Sequence, residues 1–353
     1  MLVVGGSLPL VGGLSWLESQ STPRLSHVAA PGTGALRKDF LMAERFFLEI
    51  AFSFCSNELA ARVMKSAGLI AEPERLSPSQ RTALLSLLSD DDPVIYRTVR
   101  EKILSFGPEA VDWLRPHTLS REPALRRRAQ EIVLHFERQA ADNQFLSFCL
   151  KNGEEFDLER GAWLLARTQY PEINIEAYEA LVDSFASGLR ERLDFGAEAK
   201  QLLSRINEYL FRELGFTGNE ENYYDSENSY LNRVVDRRTG NPINLCLLYI
   251  LLARRLQLPI TGIGLPGHFI CRYQSSAAEF YVDVFQRGTF LTKADCVQYL
   301  LRGNHSVREQ YLTPVSPRRI LLRICSNLHQ IYEQLDSPEE ATRVQRYVVA
   351  LAK

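Results

Sequence analysis

The chain has 353 residues, 45% of them hydrophobic and 24% charged, which is typical of a globular protein with more than one packed unit. Its 41 basic and 43 acidic side chains leave a formal net charge of −2 at pH 7. Without a basic excess, nucleic acid and anionic membranes are not expected partners. No apolar run approaches the roughly 20 residues that span a bilayer, and we therefore expect a cytoplasmic protein.

Cysteine and histidine placement argues against metal or cofactor chemistry. The six cysteines lie in apolar stretches, and none forms a CxxC pair, which predicts buried thiols in a reducing compartment. The six histidines are dispersed, without an i, i+4 pair or a nearby set of carboxylates. Glycine-rich phosphate loops are also absent from the sequence. We therefore expect neither a metal nor a cofactor.

The first 37 residues do not resemble a folded unit. They are rich in Gly, Ser and Pro, and the apolar segment at 2–10 is broken by Gly5 and Gly6. No basic residue precedes that segment, so a secretory signal is not expected. We interpret residues 1–37 as a disordered or spurious extension.

Residues 38–205 show helical spacing of apolar side chains. Asp92–Pro93, Gly107–Pro108 and Glu122–Pro123 mark helix starts, and further helices are predicted at about 126–150, 158–168 and 174–193. Short helices with such starts resemble HEAT-type pairs, although two copies do not make an array. A plain helical scaffold without chemistry of its own is the simpler interpretation of this region.

From residue 206 onward the character changes. Aromatic residues, Gly and Asn crowd into 209–231, and a long helix is predicted from about 242 to 256. Strands are then predicted at 261–265, 268–273, 280–285 and 289–291. The tail at 313–353 is helical, because Ser316–Pro317 and Ser337–Pro338 each place a capping residue before a proline at the first helical position. The tail resembles one antiparallel tetratricopeptide (TPR) pair.

Two polar residues lie among apolar residues on successive predicted strands. If these strands are neighbours, the two side chains are expected to contact each other. His268 opens one strand after a Pro-Gly turn, and Asp283 lies between Val282 and Val284 in the next. A carboxylate in that position needs a partner, and a hydrogen bond from His268 would supply it. Either a structural pair that braces two strands or a catalytic (or formerly catalytic) pair fits this pattern.

Three longer motifs resemble a known family. They are LFRELGFTGN at 210–219, NSYLNRV at 228–234 and PGHF at 266–269. These motifs, with flanking similarity at 158–171 and 320–332, resemble the SirB-type branch of the transglutaminase-like superfamily, a largely uncharacterised bacterial family. The resemblance covers about residues 80–353. It implies an α+β fold with a transglutaminase-like (papain-like) core at 206–312, between an N-terminal HEAT-like region and a C-terminal TPR-like pair.

The resemblance also implies a catalytic pattern. In active members of the superfamily a Cys at the start of a buried helix attacks an acyl carbon, while a His and an Asp on the following strands act as base and orienting group. His268 and Asp283 match the second and third members of this triad. The position of the nucleophile falls at or beside Pro242, with Asn241 as helix cap. Cys246 lies four residues further on, which is about 6 Å along a helix axis and beyond the unpaired amides that would activate a thiol.

Three functions stay open from the sequence. The leading one is a non-catalytic or cryptic transglutaminase-like protein, a regulatory module that binds a peptide or protein partner in the cleft beside His268 and Asp283. The alternative is a cysteine protease or amidase-like hydrolase that uses Cys246, His268 and Asp283. A purely structural adaptor is the third, and Pro242 at the nucleophile position argues against an enzyme.

Overall fold

A computed structural model of the protein describes residues 76–353. The predicted extension at 1–37, the first part of the helical region and Cys55 lie outside these residues. Within the described part, none of the helices has the length and hydrophobicity needed to cross a membrane. The chain divides into two compact units, whose described parts are 76–139 and 140–353.

The described part of the first unit is helical, and two of its helices begin at prolines that the sequence predicts as helix starts, Pro93 and Pro123. Helices in this part are α1 (Pro78–Leu88), α2 (Pro93–Ser105), α3 (Ala110–Leu114) and the first part of α4 (Pro123–Lys151), with 3-10 turns at Gly107–Glu109 and Arg115–Leu119. Asp92 caps α2 by accepting a hydrogen bond of 2.8 Å from the backbone N–H of Val94. Leu88, Ile103 and Ile132 share one apolar core. The guanidinium of Arg128 donates to the Leu88 carbonyl at 2.7 Å and lies over the Tyr96 ring.

The second unit combines helices with two small sheets. Its helices after α4 are α5 (Leu158–Gln169), α6 (Ile175–Arg190), α7 (Ala199–Asn207), α8 (Leu231–Arg237), α9 (Pro242–Arg255), α10 (Lys293–Arg302), α11 (Pro317–Gln334) and α12 (Pro338–Leu351), with a π-helical turn at Glu208–Glu213 and 3-10 turns at Ser226–Ser229 and Glu309–Leu312. The sequence analysis placed α5, α6 and α7 in the preceding helical region. Their buried side chains, such as Leu165, Val182 and Leu203, instead share the apolar core of α9. Amphipathic spacing identifies a buried face but not the element that covers it, which is why the sequence did not reveal this assignment.

Four antiparallel strands form the larger sheet in the order β3-β4-β5-β6. They are β3 (Ile260–Leu265), β4 (His268–Gln274), β5 (Glu279–Asp283) and β6 (Thr289–Leu291), and β1 (Thr217–Gly218) pairs in parallel with β2 (Thr239–Gly240). The predicted strands are confirmed to within about two residues at each end. One face of the sheet packs Phe269 and Cys271 into the core with α9, while Ile270 and Tyr281 on the other face pack against α10. Adjacent strand residues alternate between the two faces, so β4 contributes to both cores.

Helices α11 and α12 pack against each other at the C-terminal end. Ser316 caps α11 through its side chain, as predicted, but Ser337 makes no capping hydrogen bond to α12. The Ser337 hydroxyl donates instead to the Leu335 carbonyl at 3.4 Å. Arg318 is buried and donates to the carbonyl oxygens of Leu351 and Cys149, both at 2.9 Å. A charged donor thus satisfies carbonyls at the ends of α4 and α12, where no intrahelical partner exists.

Candidate functional site

His268 and Asp283 meet where β4 begins and β5 ends. Nε2 of His268 lies 2.8 Å from Oδ2 of Asp283, and the two side chains are 15% and 11% exposed. The other carboxylate oxygen, Oδ1, accepts a hydrogen bond of 3.1 Å from the backbone N–H of Gln286. Because an ionised carboxylate only accepts, Nε2 carries the hydrogen, which leaves Nδ1 as the acceptor of a neutral imidazole. Within residues 76–353, Nδ1 makes no hydrogen bond.

The turn before His268 is held from two sides. Leu265 pairs with His268, so Pro266 and Gly267 form a two-residue loop. Gly267 has φ of +73°, and because proline cannot adopt a positive φ this is a type II turn, with glycine where a left-handed residue is required. Arg323 of α11 donates to the carbonyls of Leu265 and His268, each at 2.7 Å. The hydroxyl of Tyr299 donates to the Pro266 carbonyl at 3.2 Å, so side chains from two helices fix the start of β4.

Helix α9 begins beside this pair with the residues that the sequence predicts. Asn241 is the N-cap, its Oδ1 accepting a hydrogen bond of 3.0 Å from the backbone N–H of Asn244, and Pro242 is the first helical residue. These two assignments are confirmed. Proline has neither a nucleophilic atom nor a backbone N–H. The start of the helix therefore offers neither an attacking group nor a hydrogen-bond donor at this position.

A cavity of about 520 Å³ opens onto these residues. Its lining includes Pro242, His268 and Asp283, so the structure brings the predicted helix start and the His–Asp pair to one place. Further lining residues are Tyr223, Leu265, Gly267, Phe285, Gln286, Leu291, Asp295, Cys296, Gln298, Tyr299 and Arg302. A volume of this size is in the range of small-molecule and short-peptide sites.

Aromatic rings surround the imidazole in a continuous chain. Ring centroids lie 5.9 Å apart for His268 and Tyr299, 6.3 Å for His268 and Phe285, and 6.0 Å for Phe285 and Tyr223. Tyr223 and Tyr299 are also 37% and 40% exposed. The sequence analysis noted the aromatic crowding around 222–225 but did not assign Tyr223, Phe285 or Tyr299 to the site. For Tyr299, the sequence signal was the helical spacing that places it on one face with the polar residues Asp295, Gln298 and Arg302.

The buried side chain of Asn228 holds the loop that carries Tyr223. Asn228 is 1% exposed, and its Nδ2 donates to the carbonyls of Asn222 at 2.8 Å and Tyr223 at 3.2 Å. Its Oδ1 accepts from Nδ2 of Asn219 at 2.9 Å. The buried Asn228 side chain thereby supplies hydrogen bonds to backbone carbonyls of the exposed, irregular 219–225 loop.

Cys246 is placed away from the cavity. Its side chain is fully buried, and its Sγ contacts the Phe269 carbonyl at 3.5 Å rather than the imidazole. Burial, and then the neighbouring Cys271 thiol, raises the pKa of Cys246 well above its ordinary value. Cys271 likewise belongs to the apolar core, on the face of the sheet opposite Ile270, as strand alternation predicts. Cys246 is therefore absent from the lining of the cavity that contains His268 and Asp283, although the Asp283 charge adds to the rise in its pKa.

Cys296 is the cysteine that does line the cavity, and the sequence did not single it out. It lies in α10 and is 1% exposed. Burial raises its pKa to about 11, with smaller effects from the charges of Asp295 and Asp283. A thiol in this state stays protonated at neutral pH and is a poor nucleophile. Across residues 76–353, no group of three or more His, Cys, Asp or Glu side chains is arranged to hold a metal ion.

Sequence similarity relates this chain to one superfamily profile and to bacterial proteins of one family. The Transglutaminase-like superfamily profile matches residues 176–326, a range that includes Pro242, His268 and Asp283. A UPF0162 protein of Xylella fastidiosa strain Temecula1 is 36% identical over 196 residues, which are 54% of this chain and 70% of that protein. The UPF0162 protein of Pseudomonas aeruginosa is 28% identical over 209 residues, covering 58% of this chain and 74% of the relative.

A eukaryotic protein shares a shorter segment. F-box only protein 21 of Mus musculus is 36% identical over 136 residues, which are 36% of this chain and 21% of that protein. No solved structure matches the chain significantly. The similarity therefore connects this chain with bacterial proteins over most of their length and with the mouse protein over a limited part.

Proposed function

Because the chain belongs to the UPF0162 family and carries a transglutaminase-like domain, we propose that it is a non-catalytic protein whose cavity binds a peptide or protein partner. The observation that carries this proposal is Pro242 at the start of α9, in the same cavity as His268 and Asp283. The motifs that resemble the SirB-type branch favour a regulatory role in the bacterial cytoplasm. The first unit and the α11–α12 pair, as HEAT-like and TPR-like elements, would serve as scaffold.

Acyl transfer needs two features that Pro242 removes from this place. The first is a nucleophile within reach of the imidazole, and the second is a donor for the developing oxyanion. A proline supplies neither, since its nitrogen carries no hydrogen. The buried Cys246 and the protonated Cys296 do not replace the missing thiolate.

Binding, in contrast, is supported by the cavity itself. Its rings Tyr223, Phe285 and Tyr299 offer apolar contact area at a low cost in conformational entropy. The free Nδ1 of His268 offers one hydrogen-bonding position with a fixed direction. A few oriented polar groups within an apolar lining are the usual composition of a specific binding site.

The test is quantitative capture of a partner from a bacterial lysate with three forms of the full chain. Wild type should retain a partner that the His268→Ala, Asp283→Ala double variant loses. His329→Ala serves as the matched control, because His329 also pairs with a carboxylate (Glu333, at 3.7 Å) but does not line the cavity. Equal recovery by all three forms would leave the cavity without a role and favour the structural adaptor.

The hydrolase alternative makes a separate prediction. If Cys246 were the nucleophile, iodoacetamide would label it fastest among the cysteines, with a pKa well below about 8.5. We expect slow labelling at Cys246, because its thiol is fully buried. Mass spectrometry of the labelled peptides separates the two outcomes.

A further inference from the structure

One face of α10 forms a wall of the cavity. Asp295, Gln298, Tyr299 and Arg302 all line it, and their spacing of i, i+3, i+4 and i+7 places them on the same side of the helix. At a rise of 1.5 Å per residue, this row extends for about 10 Å. Cys296 and Leu300 turn toward the sheet and are buried there. The helix therefore presents a polar row to the cavity and an apolar row to the core.

Both carboxylates of the lining are already occupied by the chain. Asp283 accepts from His268 and from the backbone N–H of Gln286. Asp295 accepts from the backbone N–H and the hydroxyl of Thr292, each at 2.7 Å, as part of a capping box. Both oxygens of Asp283 and one oxygen of Asp295 therefore accept hydrogen bonds within the chain, while each carboxylate keeps its negative charge.

Arg302 is in the opposite situation. It is exposed, lies in the last turn of α10 and makes no hydrogen bond or ion pair within residues 76–353. Its guanidinium has five N–H donors in a planar fork that matches a carboxylate. Among the described lining residues, Arg302 is therefore the charged side chain whose hydrogen-bond donors are not used within residues 76–353, although its charge, after the hydrogen bonds from Thr292, also lowers the pKa of the nearby Asp295.

The occupant must combine an anion with an apolar body. Along an extended peptide, adjacent side chains point in opposite directions and those on one side are about 7 Å apart, so an internal acidic residue and an apolar residue present their groups from separate positions. The last residue of a peptide differs, because its terminal carboxylate and its side chain leave the same Cα atom. Building on the peptide-binding function proposed above, we propose that the cavity binds the C-terminal residue of a peptide, with its carboxylate on Arg302 and its apolar side chain against Tyr223, Phe285 and Tyr299.

The experiment compares three short peptides on the ¹⁵N-labelled full chain. The first is N-acetyl-Ala-Phe with a free carboxylate, the second is its C-terminal amide, and the third is N-acetyl-Phe-Glu amide, which carries its acid on a side chain. Titrations followed by NMR give the dissociation constants. We expect the free carboxylate to bind in the millimolar range and the other two peptides to bind about tenfold more weakly, as the loss of one charge-assisted contact implies.

Two variants test the assigned cation. Arg302→Gln should weaken the free-carboxylate peptide about tenfold and leave the amide peptide unchanged. Arg254→Gln is the matched control, because Arg254 is also an exposed arginine in the last turn of a helix but does not line the cavity. This variant should bind all three peptides as wild type does.

Three results would overturn the inference. They are equal affinity for acid and amide, stronger binding of the glutamate peptide, and the absence of any binding up to about 10 mM, which is about tenfold weaker than the affinity expected for the free carboxylate. The lysate capture described above reports separately on the proposed function. If the peptides fail but capture still depends on His268 and Asp283, only the C-terminal specificity is wrong. If the peptides fail and capture does not depend on these two residues, the proposed binding function is wrong as well.

Discussion

The guanidinium of Arg323 donates a hydrogen bond of 2.7 Å to the carbonyl oxygen of His268. It donates another of 2.7 Å to Leu265, and it lies over the Phe269 ring at 5.6 Å. Burial lowers the pKa of Arg323, which reflects the cost of placing a charge in this interior position. Helix α11 thereby fixes the backbone of the strand that carries the imidazole.

Removal of the two Arg323 hydrogen bonds should destabilise the protein and shift the position of His268. We expect Arg323→Met to lower the free energy of unfolding by about 2–3 kcal/mol, because two carbonyls lose a charged donor. Urea denaturation measures this change, and NMR of the His268 ring reports whether the turn has moved. Arg319→Met, at an exposed arginine one turn earlier in α11, should change stability by less than about 0.5 kcal/mol. Equal effects of the two substitutions would exclude a positioning role for Arg323.

Replacement of the helix-start proline should create a reactive thiol. In Pro242→Cys the new side chain would lie at the N-terminus of α9 in the cavity that contains His268. The helix dipole and the imidazole both stabilise a thiolate there, so we expect iodoacetamide labelling at pH 7 at least about tenfold faster than that of any described native cysteine. The experiment uses a Cys55→Ser background, since Cys55 lies outside the described residues.

The dependence on the imidazole is checked by adding His268→Ala to Pro242→Cys. The rate should then fall toward that of the buried native thiols. A Pro242→Cys protein that labels no faster than wild type would show that this helix start does not face the His–Asp pair as a triad requires.

The His268–Asp283 pair should contribute more to stability than a comparable surface pair. His268→Ala leaves a mostly buried carboxylate without one of its two partners, at an expected cost of about 1–3 kcal/mol. A double-mutant cycle with Asp283→Asn, followed by urea denaturation at pH 7, should give a coupling free energy of about 1–2 kcal/mol. For the exposed pair His329 and Glu333 we expect less than about 0.5 kcal/mol. A coupling free energy near zero for His268 and Asp283 would contradict this estimate.

The buried thiol of Cys296 should make the free energy of unfolding fall at alkaline pH. The pKa of Cys296 is raised from 9.0 to about 11 in the folded chain. Between these values the unfolded chain has lost the thiol proton while the folded chain retains it, so stability falls as pH rises through this window. The full effect is up to about 2–3 kcal/mol, at 1.36 kcal/mol per pKa unit.

The comparison is between wild type and Cys296→Ala, each unfolded in urea at pH 8.5 and at pH 10.5. Other buried groups, such as Cys149 with a pKa raised to about 12, lower the stability of both proteins at high pH. Only the difference between the two proteins belongs to Cys296. If their stabilities decline in parallel, the Cys296 thiol ionises as freely in the folded chain as in the unfolded one.

Helix starts and strand faces could be predicted from the sequence because they depend on residues that are neighbours in the chain. Asn241 and Pro242 predict a helix start, since a capping amide followed by a ring without an N–H fits only that place. Strand alternation likewise predicts that Cys271 lies on the face of β4 opposite Ile270. Where a buried face is covered by a distant element, as for α5, α6 and α7, spacing alone did not identify the partner.

The sequence by itself predicted many of the helices, the strands of the larger sheet, and the start of α9 at Asn241 and Pro242. Only the tertiary structure decided which rings lie beside the imidazole, because Tyr299 packs against it from a distant helix and Tyr223 is connected to it through Phe285. It also decided that both acids of the cavity accept hydrogen bonds from the chain while Arg302 makes none within the described residues. Hydrogen-bond satisfaction depends on the atoms that folding brings within about 3 Å, and spacing along the chain does not fix those distances.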